Sequence, residues 1–279
     1  MFHGVSPEHI ALGGAAELIY RLSACYLEPG RSVLVASPSF GEYGRSARLR
    51  GARVRHCDVY AKGTEPTLKP FLRAVQKTRP TLVWLCHPNN PTGHAWTADA
   101  LAEVAATCRE HDALLVIDAA YLELSDATPK LPASAVQLFP LTKTFSVAGL
   151  RAGYAVAPPK VAQVLGRAAP PWPVSTLAAA TVSWCRSRAG AAFVSETVHE
   201  VLRLRNTLQS GLRGLGFVVW EGHSSFFLTE VGDAGVFAAR AKGAGFRVRD
   251  ASSFGLPNCV RLAAQGQEAN EKLLRWLGC

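Results

Sequence analysis

The sequence predicts an α/β fold: a mostly parallel sheet with helices on both faces, followed by a smaller α+β C-terminal domain. Three observations carry that expectation. Over residues 10–156 short apolar runs alternate with amphipathic stretches, the pattern of parallel strands joined by crossover helices. A proline-rich break, Ala169-Pro170-Pro171-Trp172-Pro173, ends the alternation and introduces a long helical stretch. Beyond Phe217 the signal turns to short strands around two helices. The expected division is therefore a large domain over residues 1–180 and a small domain over 181–279, which includes the helix that leads into it.

Each element follows from its own residues. Candidate strands are 32–36, 52–58, 81–86, 114–118, 137–141 and 153–157, most of them continuous apolar runs of the kind buried on both faces. Between the third and fourth, residues 97–111 place Leu101, Val104, Ala105 and Cys108 at helical spacing, with Thr97 as the cap. The helical stretch over 176–211 is interrupted near 188–190 by Ala189-Gly190. Strands at 217–221, 226–231, 246–249 and 260–263, a helix over 235–244 and a last helix from Glu268 complete the small domain.

Composition narrows the class of function. With 48% hydrophobic and only 18% charged residues among 279, the chain can bury a sizeable core. No apolar run reaches the roughly 18 residues of a membrane span. The start Met1-Phe2-His3-Gly4-Val5 lacks a basic segment followed by an apolar one, so no anchor or signal peptide and a cytoplasmic location are expected. Seven scattered cysteines without a CxxC pair read as reduced, mostly buried thiols rather than a metal site. The net charge of +9 raises the question of nucleic acid. Its densest group, Arg45, Arg48, Arg50, Arg53 and Arg55, is interleaved with small and apolar residues rather than stacking aromatics, so a solvated face is expected, with neither nucleic acid nor membrane as partner.

Three strand ends carry chemistry. The run Thr81-Leu82-Val83-Trp84-Leu85 passes into Cys86-His87-Pro88-Asn89-Asn90-Pro91-Thr92-Gly93, a buried strand entering a sharp turn. Leu114-Leu115-Val116-Ile117-Asp118-Ala119-Ala120-Tyr121 ends an apolar strand on a carboxylate, which is costly to desolvate without a cationic partner. Leu141-Thr142-Lys143-Thr144-Phe145-Ser146-Val147-Ala148-Gly149-Leu150-Arg151-Ala152-Gly153-Tyr154 sets a lysine just after another strand and an arginine beside small residues. A lysine amine in such a place can form an imine with an aldehyde, and glycines let backbone and guanidinium approach a phosphate closely. Singly, Asn90 reads as well as an ordinary turn residue, and Asp118 as a helix cap or metal ligand. Their order along the chain, with Asn90, Asp118 and Lys143 each after a parallel strand, sets all three at one sheet edge.

Together these segments resemble the fold-type I aminotransferases of class I and II, in the branch of histidinol-phosphate aminotransferase and threonine-phosphate decarboxylase. The resemblance implies pyridoxal 5′-phosphate as cofactor, bound through Lys143, with Asp118 on its ring nitrogen and Asn90 and Tyr121 on its phenolic oxygen; Lys143, Asp118 and Tyr121 are then the catalytic residues. It implies that Arg151 and Thr142 hold the phosphate together with the N–H groups of Ala15 and Ala16, in the turn Leu12-Gly13-Gly14-Ala15-Ala16, and that Phe40 covers the ring. Arg261 would hold a substrate carboxylate and Arg249 a further substrate anion. An amino acid as small-molecule substrate, a homodimer and no metal follow from the same likeness, and the positive charge suits a phosphorylated cofactor and substrate.

Departures accompany it. Ala15 and Ala16 offer only backbone, and Pro140 stands where the family often has a phosphate donor. Met1 lies almost at the glycine turn, where the family has an N-terminal arm. Phe40-Gly41-Glu42-Tyr43-Gly44-Arg45 and Pro171-Trp172-Pro173-Val174-Ser175 lean to the decarboxylase of the cobalamin pathway. Tyr121 and the stretch from Val248 through Leu262 lean to the aminotransferase. A phosphate-bearing amino acid is expected for either; threonine-phosphate decarboxylation or transamination is the main reading, the two ranked nearly equal, with a histidinol-phosphate-type aminotransferase as the alternative and a catalytically idle subunit as the third.

Overall fold

A computed structural model describes residues 3–60, 65–127 and 130–278. Met1, Phe2 and Cys279 lie outside the described residues. In chain order the elements are β1 (Ile10–Leu12), α1 (Ala15–Tyr26), β2 (Ser32–Ser37), α2 (Glu42–Arg48), β3 (Arg53–Asp58), α3 (Leu68–Thr78), β4 (Leu82–Cys86), α4 (Ala98–Glu110) and β5 (Leu114–Asp118). There follow β6 (Val136–Pro140), α5 (Leu141–Thr144), β7 (Gly153–Val156), α6 (Pro159–Arg167), α7 (Thr176–Cys185) and α8 (Arg188–Gly214). The last are β8 (Phe226–Glu230), α9 (Ala234–Gly243), β9 (Arg249–Asp250), β10 (Cys259–Ala263) and α10 (Gln267–Leu277).

Seven strands form one sheet in the order β1-β7-β6-β5-β4-β2-β3. The five from β3 to β6 in that order are parallel. Two strands depart from the expected direction: β7 runs antiparallel to β6, and β1, a strand the sequence pattern did not single out, runs antiparallel to β7. The connection from β6 to β7 contains only a short helix and a 3-10 turn, too little for a full crossover helix, so the chain returns beside the strand it has just left. Successive side chains of a strand point to opposite faces, and both faces here are covered. Val33, Val35, Leu82 and Trp84 pack with Leu18, Leu22, Tyr43 and Leu165 on one side. Leu34, Val83, Leu85 and Ile117 pack with Phe71, Val75, Leu101 and Val104 on the other. Each such fully buried aliphatic side chain contributes about 1.5–3 kcal/mol, which is why these strands are apolar throughout.

Thr97 caps α4 as its sequence suggests, its side chain accepting from Ala100 N–H. The expected break in the long helix falls between α7 and α8, where Ser187 caps α8 by accepting from Gly190 N–H. A second sheet, β8-β10-β9, is antiparallel, and Phe227, Val260 and Leu262 on one face pack against Leu208, Leu212, Phe237 and Leu273 from the helices. The expected strand at 217–221 is reduced to a single bridge, Val219 with Thr229. There the Thr229 hydroxyl donates to Val218 O, a side-chain bond that competes with a regular ladder. Arg45, Arg48, Arg50, Arg53 and Arg55 are all exposed. Cys86, Cys108, Cys185 and Cys259 are buried, Cys25 and Cys57 partly so, and all six are free. Among the described residues no helix is long and apolar enough to cross a membrane, and no cluster of three His, Cys, Asp or Glu side chains could hold a metal.

Candidate active site

Because β2, β4, β5 and β6 are parallel, the loops that leave their carboxyl ends all emerge at the same edge of the sheet. Phe40 comes after β2, Asn90 after β4, Asp118 ends β5 with Tyr121 in the next turn, and Lys143 lies one turn beyond β6. Cys86 and Asp118 are register partners at the ends of their strands, so the carboxylate sits near the middle of the edge. A cavity of about 210 Å³ opens there. All nine residues assigned to the cofactor by sequence line it: Ala15, Ala16, Phe40, Asn90, Asp118, Tyr121, Thr142, Lys143 and Arg151.

One end of the cavity is built for an anion. Gly14 precedes α1 and no side chain caps that helix, so its first N–H groups and their positive potential are open. Gly14 also packs on the Arg151 segment so closely that a Cβ would stand 3.0 Å from Arg151 O. Gly153 is as tightly placed, with Phe139 O, Gly13 O and Pro140 Cα all within 3.3 Å of where its Cβ would be. These contacts bring the helix start and Arg151 to one place. Arg151 has a left-handed backbone (φ 53°) and its guanidinium donates to Ala148 O. Pro140 lines the same end and has no N–H to give, as its sequence position suggests.

The other end holds the buried acid. Asp118 accepts from the Tyr43 hydroxyl (2.7 Å) and from Ala120 N–H (3.1 Å), and among the described residues it makes no ion pair. Burial raises its carboxyl above the usual range, opposed by those two hydrogen bonds and by the charge of Lys143. Tyr121 is pushed up to about 12, mainly by burial and against the pull of Arg261, and so stays a neutral donor.

The two arginines assigned to substrate do not line this cavity; they stand on β9 and β10 above it. Val260 and Leu262 point into the core between the second sheet and its helices, so Arg261 points the other way, and its guanidinium donates to Asn90 Oδ1 across 171 residues of sequence and lies over the Phe226 ring. Arg249 is the register partner of Arg261, is exposed, donates to Ser253 Oγ and lies over Phe254. Tyr43 and Cys86, which sequence reasoning passed over, line the cavity as well.

Against known proteins, the model of the family "Aminotransferase class I and II" matches residues 2–277. This chain belongs to the class I and II aminotransferases. It is 32% identical over 280 residues to the histidinol-phosphate aminotransferase of Haloarcula marismortui, covering 96% of this chain and 74% of that one. Among solved structures it resembles the Sinorhizobium meliloti histidinol-phosphate aminotransferase in complex with pyridoxal-5′-phosphate, with a TM-score of 0.88, 23% identity and coverage of 99% and 77%. The Porphyromonas gingivalis L-threonine-O-3-phosphate decarboxylase shares the fold at a TM-score of 0.83 and 22% identity, covering 98% and 83%. The protein is thus a pyridoxal-phosphate-dependent enzyme of the aminotransferase family. Its cavity suits that cofactor: an uncapped helix start, tight against Arg151 O at Gly14, for a phosphate, a buried carboxylate with no ion pair among the described residues, and a lysine in the same lining.

Proposed function

We propose that this aminotransferase acts on a phosphate-bearing amine of the histidinol-phosphate type, passing its amino group to a keto acid. The observation that carries the reading is the pair Arg249 and Arg261. They are directly opposite across antiparallel strands, which sets their Cβ atoms ~4.5–5.5 Å apart, and among the described residues neither is in an ion pair. Their guanidinium heads rest on different partners, Arg261 on Asn90 and Phe226 and Arg249 on Ser253 and Phe254, but two such forks rooted side by side suit the charge and oxygens of a phosphate better than those of a single carboxylate. The names of the curated relatives support the same substrate class. Decarboxylation, ranked nearly equal with transamination from the sequence, has support here only from a structural neighbour that shares the fold.

When bound, pyridoxal phosphate supplies an aldehyde and a ring that accepts electrons from the bond being broken. The N–H groups of Ala15 and Ala16, with Arg151 and Thr142, would hold its phosphate, and Phe40 would offer a face to its ring. Asn90 and Tyr121 donate to the phenolic oxygen, and Arg261 orients Asn90 through Oδ1. Asp118 holds a proton at the ring nitrogen. Lys143 would hold the cofactor through its amine, and its Nζ is the base placed to take the proton from the substrate's reacting carbon and to give it back as the amino group is passed on.

The test is to load the purified protein with pyridoxal phosphate and supply histidinol phosphate with 2-oxoglutarate, and in parallel phosphothreonine alone. Glutamate formation in the first is expected. Carbon dioxide and aminopropanol phosphate from the second, with no glutamate from the first, would overturn the reading in favour of decarboxylation.

A further inference from the structure

Asp118 is held from two directions. Ala120 N–H reaches Oδ1 from the turn that follows β5, a local bond. The Tyr43 hydroxyl reaches Oδ2 at 2.7 Å from α2, 75 residues earlier in the chain. Donors on different oxygens fix the plane of the carboxylate, because no rotation about its last bond keeps both. Tyr43 cannot follow a moving partner: it is fully buried, lies parallel on Trp84 with centroids 4.7 Å apart and meets Phe40 edge-on at 5.6 Å. The segment from Phe40 to Tyr43 thus supplies both the ring that lines the cavity and the donor behind its acid.

We propose that Tyr43 is a positioning residue for the reaction: its hydroxyl aims the Asp118 carboxylate at the cofactor's ring nitrogen and shares the carboxylate's charge. The proposal rests on the proposed function, in which Asp118 faces that nitrogen. A tyrosine that merely fills the core is the competing account. Filling needs only the ring, and phenylalanine would stack on Trp84 and Phe40 equally well without burying a hydroxyl, which costs free energy unless it is bonded. A bond to an ionised acceptor is about twice as strong as one between neutral groups, so the hydroxyl is of most use if Asp118 works as a carboxylate. Burial pushes Asp118 toward its neutral form, and the Tyr43 bond acts against burial. The titratable groups that face Asp118 are Tyr43 from α2, Cys86 from β4, Tyr121 after β5 and Lys143 from α5; of these, Tyr43 is the one that donates a hydrogen bond to it.

Tyr43→Phe removes the hydroxyl and keeps the ring. Two titrations read the consequence: carbon NMR of ¹³C-labelled aspartate in the full chain, for the Asp118 carboxyl itself, and the visible absorbance of the loaded enzyme against pH, which follows the imine conjugated with the ring and shifts with the charge at the ring nitrogen. In Tyr43→Phe the Asp118 carboxyl is expected to titrate at higher pH, the absorbance titration to move with it, and kcat to fall roughly tenfold to a hundredfold with KM nearly unchanged. Should that protein fail to fold, 3,5-difluorotyrosine at position 43, a stronger donor of nearly the same shape, should move the Asp118 titration in the opposite direction. A folded, loaded variant in which neither titration moves would overturn the proposal. Asp118→Asn separates the underlying reading: if it leaves the absorbance titration where it was, Asp118 does not face the ring nitrogen, whereas if Asp118→Asn moves it and the Tyr43 variants do not, only the role of Tyr43 fails.

Discussion

A single methyl group at Gly14 tests the anion end of the site. The backbone there, φ −66° and ψ 144°, suits any residue, so alanine meets no conformational strain. What it meets is Arg151, whose carbonyl oxygen would stand 3.0 Å from the new Cβ. Backbone cannot swing aside as a flexible side chain can, so the overlap is relieved only by moving the helix start and the Arg151 segment apart. Overpacking of this kind costs ~1–3 kcal/mol, and alanine is a poorer N-cap than glycine by about 0.5–1 kcal/mol. The total, about 1.5–4 kcal/mol, corresponds to roughly tenfold to several-hundredfold when the loss falls on the loaded state. Titrating Gly14→Ala with pyridoxal phosphate by absorbance measures that part, and thermal unfolding of the protein without cofactor measures the part that falls on the fold. Gly149→Ala is the control, since no atom lies within 4 Å of its added Cβ and its φ is not positive. If Gly14→Ala binds within threefold of the original protein and unfolds at the same temperature, the argument that this turn and Arg151 form one cradle is wrong.

Other residues give sharper tests of chemistry. Lys143→Ala should lose the borohydride-stable link to pyridoxal phosphate; a link that survives, located by peptide mapping on another lysine, would reassign the anchor. Asp118→Asn should keep cofactor binding near normal while lowering turnover by several orders of magnitude, at about 1.4 kcal/mol per factor of ten, and turnover within tenfold of the original would contradict its role. Without cofactor the same substitution has a pH signature. The Asp118 carboxyl is raised in the folded protein, so its protonation favours folding at low pH, and that contribution is lost as pH rises from the ordinary carboxylate range through the raised value. Asp118→Asn should therefore be at least as stable as the original at pH 7, an advantage that shrinks on acidification in chemical unfolding series. Trp172 is 93% exposed, with Leu177, Trp184 and Phe193 also open to solvent, an apolar surface that suits a second copy of the chain. Light scattering at micromolar concentration should give about twice the chain mass, and an active monomer would refute the homodimer.

How far the sequence reached depends on the range of the interaction involved. Asn90, Asp118 and Lys143 were legible because Asp118 ends a largely apolar run and the other two follow theirs within a few residues, and a run buried on both faces can end only at an edge of the sheet. The helix cap at Thr97 and the break before α8 were legible for a similar reason, since capping is settled within one turn. The reversed direction of β7 and the pairing of β1 were not, because pairing partners are chosen among strands that have already come together. Tyr43 had no role assigned from the sequence, and only the fold sets its hydroxyl on Asp118. Likewise Arg261 is one arginine in an alternating strand, and only the tertiary structure sets it on Asn90 and opposite Arg249. Local sequence determined which residues stand at strand ends and helix starts, because burial and capping act over a few residues. The fold alone decided which of them share a hydrogen bond, because those partners lie 75 and 171 residues apart and meet only when the core has closed around them.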